Sequence, residues 1–174
     1  MKKEIFAWIR DILIAALIAV IILSLFKPII IQQHSMEPNF YSGDYVIASR
    51  QAYRFSHSPE HGDIIVFRSD LKDSNGRDKN LIKRVIAIGG DTVEIIGGYV
   101  YVNGEMIDEP YVLEQGMSGE MPETVVPEGY LFCCGDNREI SVDSRNDDVG
   151  FVAEDQIVGK VLIRLFPFNS IKTF

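Results

Sequence analysis

Ser35 and Lys83 are the two residues of this chain whose types and settings could do chemistry together. Ser35 lies where a long apolar segment gives way to polar, turn-forming residues, and Pro38 prevents that segment from continuing as a helix. A serine hydroxyl is a weak nucleophile and needs a base within hydrogen-bond reach. Lys83 falls on a strand-like run in which the other residues of its face are apolar, so its amine would lose hydration and its pKa would fall. The structural alternatives are a turn serine and a lysine that snorkels from a strand edge.

The three histidines are weaker candidates for the base. His34 is adjacent to Ser35, and neighbouring side chains of an extended segment point apart. His57 and His61 have a spacing that would suit two metal ligands on a helix, but Pro59 lies between them and no Cys or carboxylate completes a set. We therefore predict solvated loop histidines, no metal, no cofactor and a Ser-Lys dyad, which is a variant of the triad that works without histidine or zinc.

The elements that must position this pair are predicted to be mainly β-strands. Short apolar or alternating runs bounded by turn formers predict strands over residues 45–48, 63–67, 81–88, 92–96, 99–107, 130–134 and 159–166. The run 99–107 contains Asn103-Gly104, which predicts a two-residue hairpin. The charged segment 69–80 is predicted to be a hairpin tip, and the acidic segment 109–124 a surface loop.

Residues 12–26 carry no charge and predict a membrane anchor. At 1.5 Å per residue this run covers only ~22 Å of a ~30 Å hydrocarbon core, so Arg10 and Lys27 would snorkel or residues 29–31 would assist. A cleaved signal peptide and a buried core helix are the alternatives. A signal peptide would have small residues directly after the apolar run, where this chain has Phe26 and Lys27.

Charge predicts how the chain is oriented. Lys2, Lys3 and Arg10 precede the apolar run and predict a cytoplasmic N-terminus, with everything after the run outside the cell membrane. We therefore predict an anchor at residues 1–30 and a single extracytoplasmic domain at residues 31–174. The formal net charge of −8 argues against a nucleic-acid partner, whose phosphates would require an excess of Lys and Arg.

The cysteines and the last polar segment complete the set of chemically notable residues. Cys133 and Cys134 are adjacent and have no third cysteine as a partner, so we predict buried free thiols. The segment that follows them is dense in turn formers and hydroxyls, and Asp143 with Arg145 could supply an internal hydrogen-bond network. This segment is predicted to be either a self-satisfied surface turn or a support for a functional site.

Five segments resemble, in order and character, those of the bacterial type I signal peptidases. They are SMEP at 35–38, GDIIVF at 62–67, KRVIAIGGD at 83–91, GDNREISVDSR at 135–145 and IVGKV at 157–161. The resemblance implies that Ser35 is the nucleophile and Lys83 the general base. It further implies that Ser141 hydrogen-bonds and orients the lysine amine, and that Asp143 and Arg145 form a supporting salt bridge.

The resemblance also carries a fold and a substrate. It implies strongly coiled antiparallel β-sheets forming one catalytic domain behind a single transmembrane helix. Members of the family cut after small residues in an A-x-A pattern, so the implied partners are the signal peptides of translocated precursors and the lipid bilayer. Met36 is then a candidate wall of the P1 pocket, although it could equally be core filler.

Two positions depart from the family pattern. Gln33 stands where relatives usually carry Gly or Ser, and Asn39 stands where they usually carry Thr. The oxyanion would take one hydrogen bond from the backbone N–H of Ser35, and Gln33 could donate a second from its side-chain amide or could point away.

Two rival functions follow from the same sequence. A self-cleaving repressor-type Ser-Lys peptidase should carry a DNA-binding helical domain, and this chain carries an anchor instead. A non-catalytic, membrane-tethered β-domain that binds secreted chains or assists surface assembly would not need both Ser35 and Lys83.

Overall fold

The computed structural model describes residues 2–54, 57–73 and 75–174, without the side chains of Lys2 and Lys3. In this described part of the chain, one long helix precedes a series of short strands. The helix is α1 (Lys2–Leu25), and the strands are β1 (Phe26–Ile30), β2 (Tyr45–Ser49), β3 (Ile64–Lys72), β4 (Asp78–Ile88), β5 (Thr92–Ile96), β6 (Tyr99–Val102), β7 (Glu105–Met106), β8 (Met121–Val125), β9 (Tyr130–Cys134), β10 (Val152–Ala153), β11 (Ile157–Phe166) and β12 (Lys172–Thr173). Single 3₁₀ turns lie at Glu154–Gln156 and Phe168–Ser170.

Helix α1 is apolar and packs against nothing in the described part of the chain. Its segment Glu4–Leu25 has a mean hydropathy of 2.5, and none of its most apolar stretch is buried against the rest of the protein. Twenty-two residues extend ~33 Å, which is enough to cross the hydrocarbon core of a bilayer. The helix is longer than the uncharged run of residues 12–26 because it continues through Arg10 toward the N-terminus. The predicted orientation rests partly on Lys2 and Lys3, whose side chains lie outside the described part.

Helix α1 ends at Leu25, five residues before the predicted anchor boundary at residue 30. Residues 26–30 instead form β1, which pairs with β2 and places Lys27 opposite Ala48. Pro28 explains the change because it lacks a backbone N–H and disrupts a helix. It is tolerated here because β1 is an edge strand. An apolar run alone does not distinguish the last turn of a helix from a strand.

The strands form two antiparallel sheets. The larger has the order β1-β2-β11-β3-β4-β9-β10, with β12 also paired to β11, and the smaller has the order β7-β6-β5-β8. The predicted mainly antiparallel β fold with one N-terminal helix is confirmed. Neither sheet is closed or strongly coiled, so that detail of the implied fold is wrong.

All the predicted strands are present, and β1, β8, β10 and β12 were not predicted. Strands β3 and β4 extend to Lys72 and from Asp78, so the hairpin turn is shorter than the predicted tip at 69–80. Ser74, within that tip, lies outside the described residues. The predicted surface loop at 109–124 ends in β8, which pairs with β5. This strand was not predicted because its composition is polar.

Strand β4 is buried on both faces and therefore places Lys83 in the interior. Leu81 and Val85 pack in one core cluster and Ile82 packs in another, as strand alternation predicts. Cys133 and Cys134 are buried and free, which confirms the prediction of unpaired thiols.

Candidate active site

Ser35 and Lys83 are in contact. Ser35 opens the turn at residues 35–39, which follows β1, and Lys83 lies in the middle of β4. Lys83 Nζ donates a hydrogen bond of 2.7 Å to Ser35 Oγ and one of 3.0 Å to the carbonyl oxygen of Ile82. Both side chains are withdrawn from solvent, with relative exposures of 6% for Ser35 and 1% for Lys83. The structure thus brings together the two residues that the sequence selected.

The setting of Lys83 favours a neutral amine. Burial lowers the pKa of Lys83 from 10.5 to about 8, and the nearby Asp143 carboxylate opposes part of that effect. Among the described residues no carboxylate forms an ion pair with this amine. An amine with a pKa near 8 is partly deprotonated close to neutral pH and can accept a proton from a hydroxyl 2.7 Å away.

Two hydrogen-bond donors for an oxyanion are available, at Ser35 itself and at Gln33, two residues before it. The backbone N–H of Ser35 donates to no group in the described part of the chain. The side chain of Gln33 is half-buried and likewise forms no hydrogen bond with the described residues. Both donors are therefore free to bind a developing negative charge, and the role of Gln33 stays a prediction.

The loop at residues 135–145 holds the backbone of Ser35 in place. The Asn137 N–H donates to the Ser35 carbonyl at 3.0 Å, and Asn137 Nδ2 donates to the His34 carbonyl at 3.4 Å. Gly135 permits this close approach, because a Cβ at that position would lie 2.4 Å from the Ser35 carbonyl oxygen and 2.3 Å from Ser141 Oγ. Gly135 and Asn137 are positioning residues that the sequence patterns did not select.

Asp143 and Arg145 stabilise that loop from within. Arg145 Nε and one terminal nitrogen donate to the two Asp143 carboxylate oxygens at 2.8 and 2.9 Å. The same carboxylate accepts the Gly135 N–H at 2.9 Å. Burial raises the pKa of Asp143, but the hydrogen bonds and charge of Arg145 outweigh it and hold that pKa below its ordinary value. The ion pair between Asp143 and Arg145 is present in the structure, while its support of catalysis stays a prediction.

Ser141 lies at the site without the contact that the resemblance implied. Its hydroxyl is buried next to Gly135 and close to the Asp143 carboxylate, whose pKa it helps to lower, but it makes no hydrogen bond of normal geometry in the described part of the chain. Lys83 Nζ donates to Ser35 and Ile82 instead. The role of Ser141 in orienting the amine stays a prediction.

Met36 follows the nucleophile and is fully buried. It packs with Ile31, Phe40 and Val46 in the core cluster beneath the turn. This placement fits the alternative of core filler, and a contribution to a P1 pocket stays a prediction.

A groove of about 290 Å³ lies between the two chain segments that precede Ser35 and Lys83. Residues 29–33 form one side and residues 78–82 form the other. Strand β4 pairs with β3 through residues 78–84, but β9 covers only residues 84–88 of its other edge. Within the described residues, the first half of that edge is therefore open to an added strand.

Comparison with known proteins gives the family of the chain. The family model described as signal peptidase, peptidase S26, matches residues 5–166. The signal peptidase I of Bacillus licheniformis is 32% identical over 98% of this chain and 94% of its own length. The signal peptidase IB of Staphylococcus aureus (strain COL) is 36% identical over 99% of this chain and 95% of its own length.

The chain belongs to the signal peptidase family, peptidase S26. This signal peptidase is a serine endopeptidase. The family therefore excludes the two rival functions, a self-cleaving repressor-type peptidase and a non-catalytic β-domain. A crystal structure of a signal peptidase I from Enterococcus faecalis V583 is 29% identical, with a TM-score of 0.49, and covers 60% of this chain and 97% of its own length.

Two buried ion pairs of the signal peptidase were not predicted from its sequence. Arg84 donates to both carboxylate oxygens of Asp136 at 2.8 Å, and Arg138 pairs with Glu109 at 2.5 and 3.0 Å. Tyr111 stacks on the Arg84 guanidinium at 4.0 Å and donates to Glu109 at 2.9 Å. Segment 109–111 is therefore a strap that fixes the loop at 135–145 from outside, although its acidic composition predicted a surface loop.

Asn39 joins the nucleophile turn to the same network. Its side-chain amide donates to Asp136 at 2.8 Å and to the Tyr111 carbonyl at 2.6 Å. The sequence signalled this position only as a departure from the family pattern. The structure gives the amide two acceptors where a Thr hydroxyl could donate to one.

Proposed function

We propose that this signal peptidase removes the signal peptides of translocated precursors with Ser35 as nucleophile and Lys83 as general base, cutting after small residues in an A-x-A pattern. The observation that carries the proposal is the 2.7 Å contact between a buried serine hydroxyl and a buried amine that forms no ion pair with the described residues. A self-contained dyad of this kind requires no metal and no cofactor.

The first half of the reaction forms an acyl-enzyme. Neutral Lys83 accepts the Ser35 hydroxyl proton as Oγ attacks the carbonyl carbon of the scissile bond. The negative charge that develops on the carbonyl oxygen is bound by the Ser35 N–H, with the Gln33 amide as the second donor. The Lys83 ammonium then gives its proton to the leaving amine, and the C–N bond breaks.

The second half releases the signal peptide. Lys83, neutral again, accepts a proton from water as the water oxygen attacks the ester carbonyl carbon. The tetrahedral intermediate collapses, the ester bond to Oγ breaks, and the Lys83 ammonium returns its proton to Ser35. During both halves the Ile82 carbonyl holds the amine in place through its 3.0 Å hydrogen bond.

The substrate is proposed to bind as an added strand. Residues 78–83 of β4 present an open edge, and the facing residues 29–33 leave a channel for one extended chain. Ile29, Ile31, Leu81 and Ile82 give the channel apolar walls. Small residues at the cleavage site allow the peptide backbone to approach Ser35 closely.

The membrane arrangement follows from α1. The protein is anchored by its N-terminal helix, and we propose that the N-terminus is cytoplasmic and that the domain from β1 onward is extracytoplasmic. The turn at residues 35–39 is only ten residues from the end of α1, so the nucleophile lies near the surface where a precursor leaves the bilayer.

Cleavage assays with single variants test the dyad. The purified full chain, incubated with a precursor that bears an A-x-A site, should release the mature protein, and S35A and K83A should each release none. S58A and K172A change the same residue types at exposed positions and serve as matched controls. Full processing by S35A or K83A would refute the proposed roles. Activity that a metal chelator removes would contradict a metal-free dyad.

A further inference from the structure

Three basic side chains gather where α1 joins the larger sheet. Lys27 lies on β1, Arg50 directly follows β2, and Arg68 lies on β3. The Arg50 N–H donates to the carbonyl of Leu25, the last residue of α1, at 2.9 Å. We call Lys27, Arg50 and Arg68 the junction cluster.

Strand register puts the junction cluster on one face of the sheet. Lys27 is directly opposite Ala48, and Arg50 follows Ala48 by two residues. Arg68 likewise follows Val66 by two residues on β3, and Val66 shares a face with Ala48 because β11 pairs Gly159 with Val66 and Val161 with Ala48. Since alternate residues of a strand share a face, all three side chains project from the same face at the end of the sheet nearest α1.

The junction cluster differs from most other basic residues of the protein. Carboxylate partners lie beside eight of the described basic residues: Arg10, Lys72, Arg77, Arg84, Arg138, Arg145, Lys160 and Arg164. Within the described part of the chain, Lys27, Arg50 and Arg68 have no carboxylate partner. The protein carries a formal charge of −8, so three uncompensated cations together are unusual and indicate an anion from outside the chain.

The three cations of the junction cluster repel one another. Partial burial lowers the pKa of Lys27, and the charges of Arg50 and Arg68 lower it further. An anion between the three side chains would relieve that repulsion. Two guanidinium groups and one ammonium suit a phosphate group, because arginine binds phosphate oxygens with paired N–H donors.

We propose that the junction cluster binds the phosphate of an anionic phospholipid headgroup and so fixes the catalytic domain against the membrane. The position selects the lipid, since Lys27 lies two residues beyond the end of a membrane-spanning helix, at the depth of the headgroup phosphates. This site is separate from the Ser35 and Lys83 pair. It does not depend on which side of the membrane the domain occupies.

Native mass spectrometry of the full chain in detergent micelles tests the site. The wild-type chain should retain phosphatidylglycerol in preference to phosphatidylcholine. The variant K27Q/R68Q should lose roughly 30-fold of that preference, at about fivefold for each cation near a headgroup. The matched variant K172Q/R77Q removes one Lys and one Arg at exposed positions away from the junction and should behave as wild type.

Three outcomes would overturn the proposal. The first is an unchanged lipid preference in K27Q/R68Q, with thermal unfolding that shows the variant is folded. The second is an equal loss in K172Q/R77Q, which would mean that net charge alone attracts the lipid. The third is displacement of phosphatidylglycerol by inorganic phosphate at equal concentration, which would assign the site to free phosphate. S35A should retain the lipid as wild type does, so failure of the dyad and failure of the lipid site are distinguishable.

Discussion

Replacing Lys83 with Met should inactivate the enzyme and stabilise it at neutral pH. Burial lowers the pKa of Lys83 from 10.5 to about 8, and this difference corresponds to about 3 kcal/mol of unfavourable free energy when the amine is charged. Met fills a similar volume without a charge. The variant loses the hydrogen bonds to Ser35 and to the Ile82 carbonyl, worth about 1 kcal/mol each. The net gain in the free energy of unfolding at pH 7 is about 1 kcal/mol, or an increase of about 2–4 °C in Tm.

The stability advantage of K83M over the wild type depends on pH, because the pKa of Lys83 is lower in the folded protein than in the unfolded protein. A lysine with a lowered folded-state pKa binds fewer protons in the folded than in the unfolded protein between pH 8 and 10.5. The contribution of Lys83 to wild-type stability therefore rises with pH across that window, and K83M lacks this rise. The advantage of K83M should be full below pH 8 and should vanish as the pH approaches 10.5.

Thermal unfolding followed by circular dichroism at pH 6 to 10, with the full chain in detergent, measures both effects. K172M makes the same change at an exposed lysine and should leave Tm unchanged at every pH. S35A should be inactive while keeping the wild-type pH dependence, because it leaves the buried amine in place. A K83M variant that is less stable than wild type at pH 7, or whose advantage persists at pH 10, would refute the claim that Lys83 is held in a desolvated site.

The remaining predictions concern the reaction and the groups around it. Cleavage of a soluble precursor should increase about tenfold from pH 7 to pH 9 as Lys83 loses its proton, and a flat pH-rate profile would contradict its role as base. G135A should lose most of its activity and also lower Tm, because its Cβ would lie 2.4 Å from the Ser35 carbonyl oxygen and displace the nucleophile turn. A wild-type kcat in G135A would show that the loop does not hold Ser35 rigidly. E109Q should lower the free energy of unfolding by about 3–5 kcal/mol, because Arg138 stays buried without its carboxylate partner. E109Q/R138M should recover part of that loss in a double-mutant cycle.

The buried position of Lys83 could be predicted from sequence because its cause is local. Strand alternation around Lys83 requires only the neighbouring residues of β4, and it correctly placed the amine among apolar side chains. The Asn103-Gly104 hairpin was predictable for the same reason, since both residues adopt positive φ angles of 54° and 78° that the pair favours. The contact between Ser35 and Lys83 spans 48 residues; elimination of the three histidines as the base predicted this pairing, and the family resemblance implied it as well.

The supports of the site could not be predicted in this way. Glu109 is one of many acidic residues in its segment, and nothing within the segment distinguishes it from the exposed ones. Its burial depends on its ion pair with Arg138, which lies 29 residues further along the chain, beyond β8 and β9. The end of α1 had a similar limitation, because hydropathy continues past Leu25, whereas Pro28 disrupts the helix and residues 26–30 pair with β2.

Comparison of the buried basic residues explains why Lys83 alone is suited to proton transfer. Arg84, Arg138 and Lys83 are all nearly inaccessible to solvent. Burial alone would lower the pKa of Arg138, but the groups around it, Glu109 included, raise that pKa, so the guanidinium stays charged and structural. Lys83 has a hydroxyl and a carbonyl in place of a carboxylate, so burial dominates and its pKa falls toward neutrality. A carboxylate introduced beside Lys83 would therefore improve the electrostatics of the site but abolish the base, because an ion pair would keep the amine protonated and proton transfer requires it to be neutral.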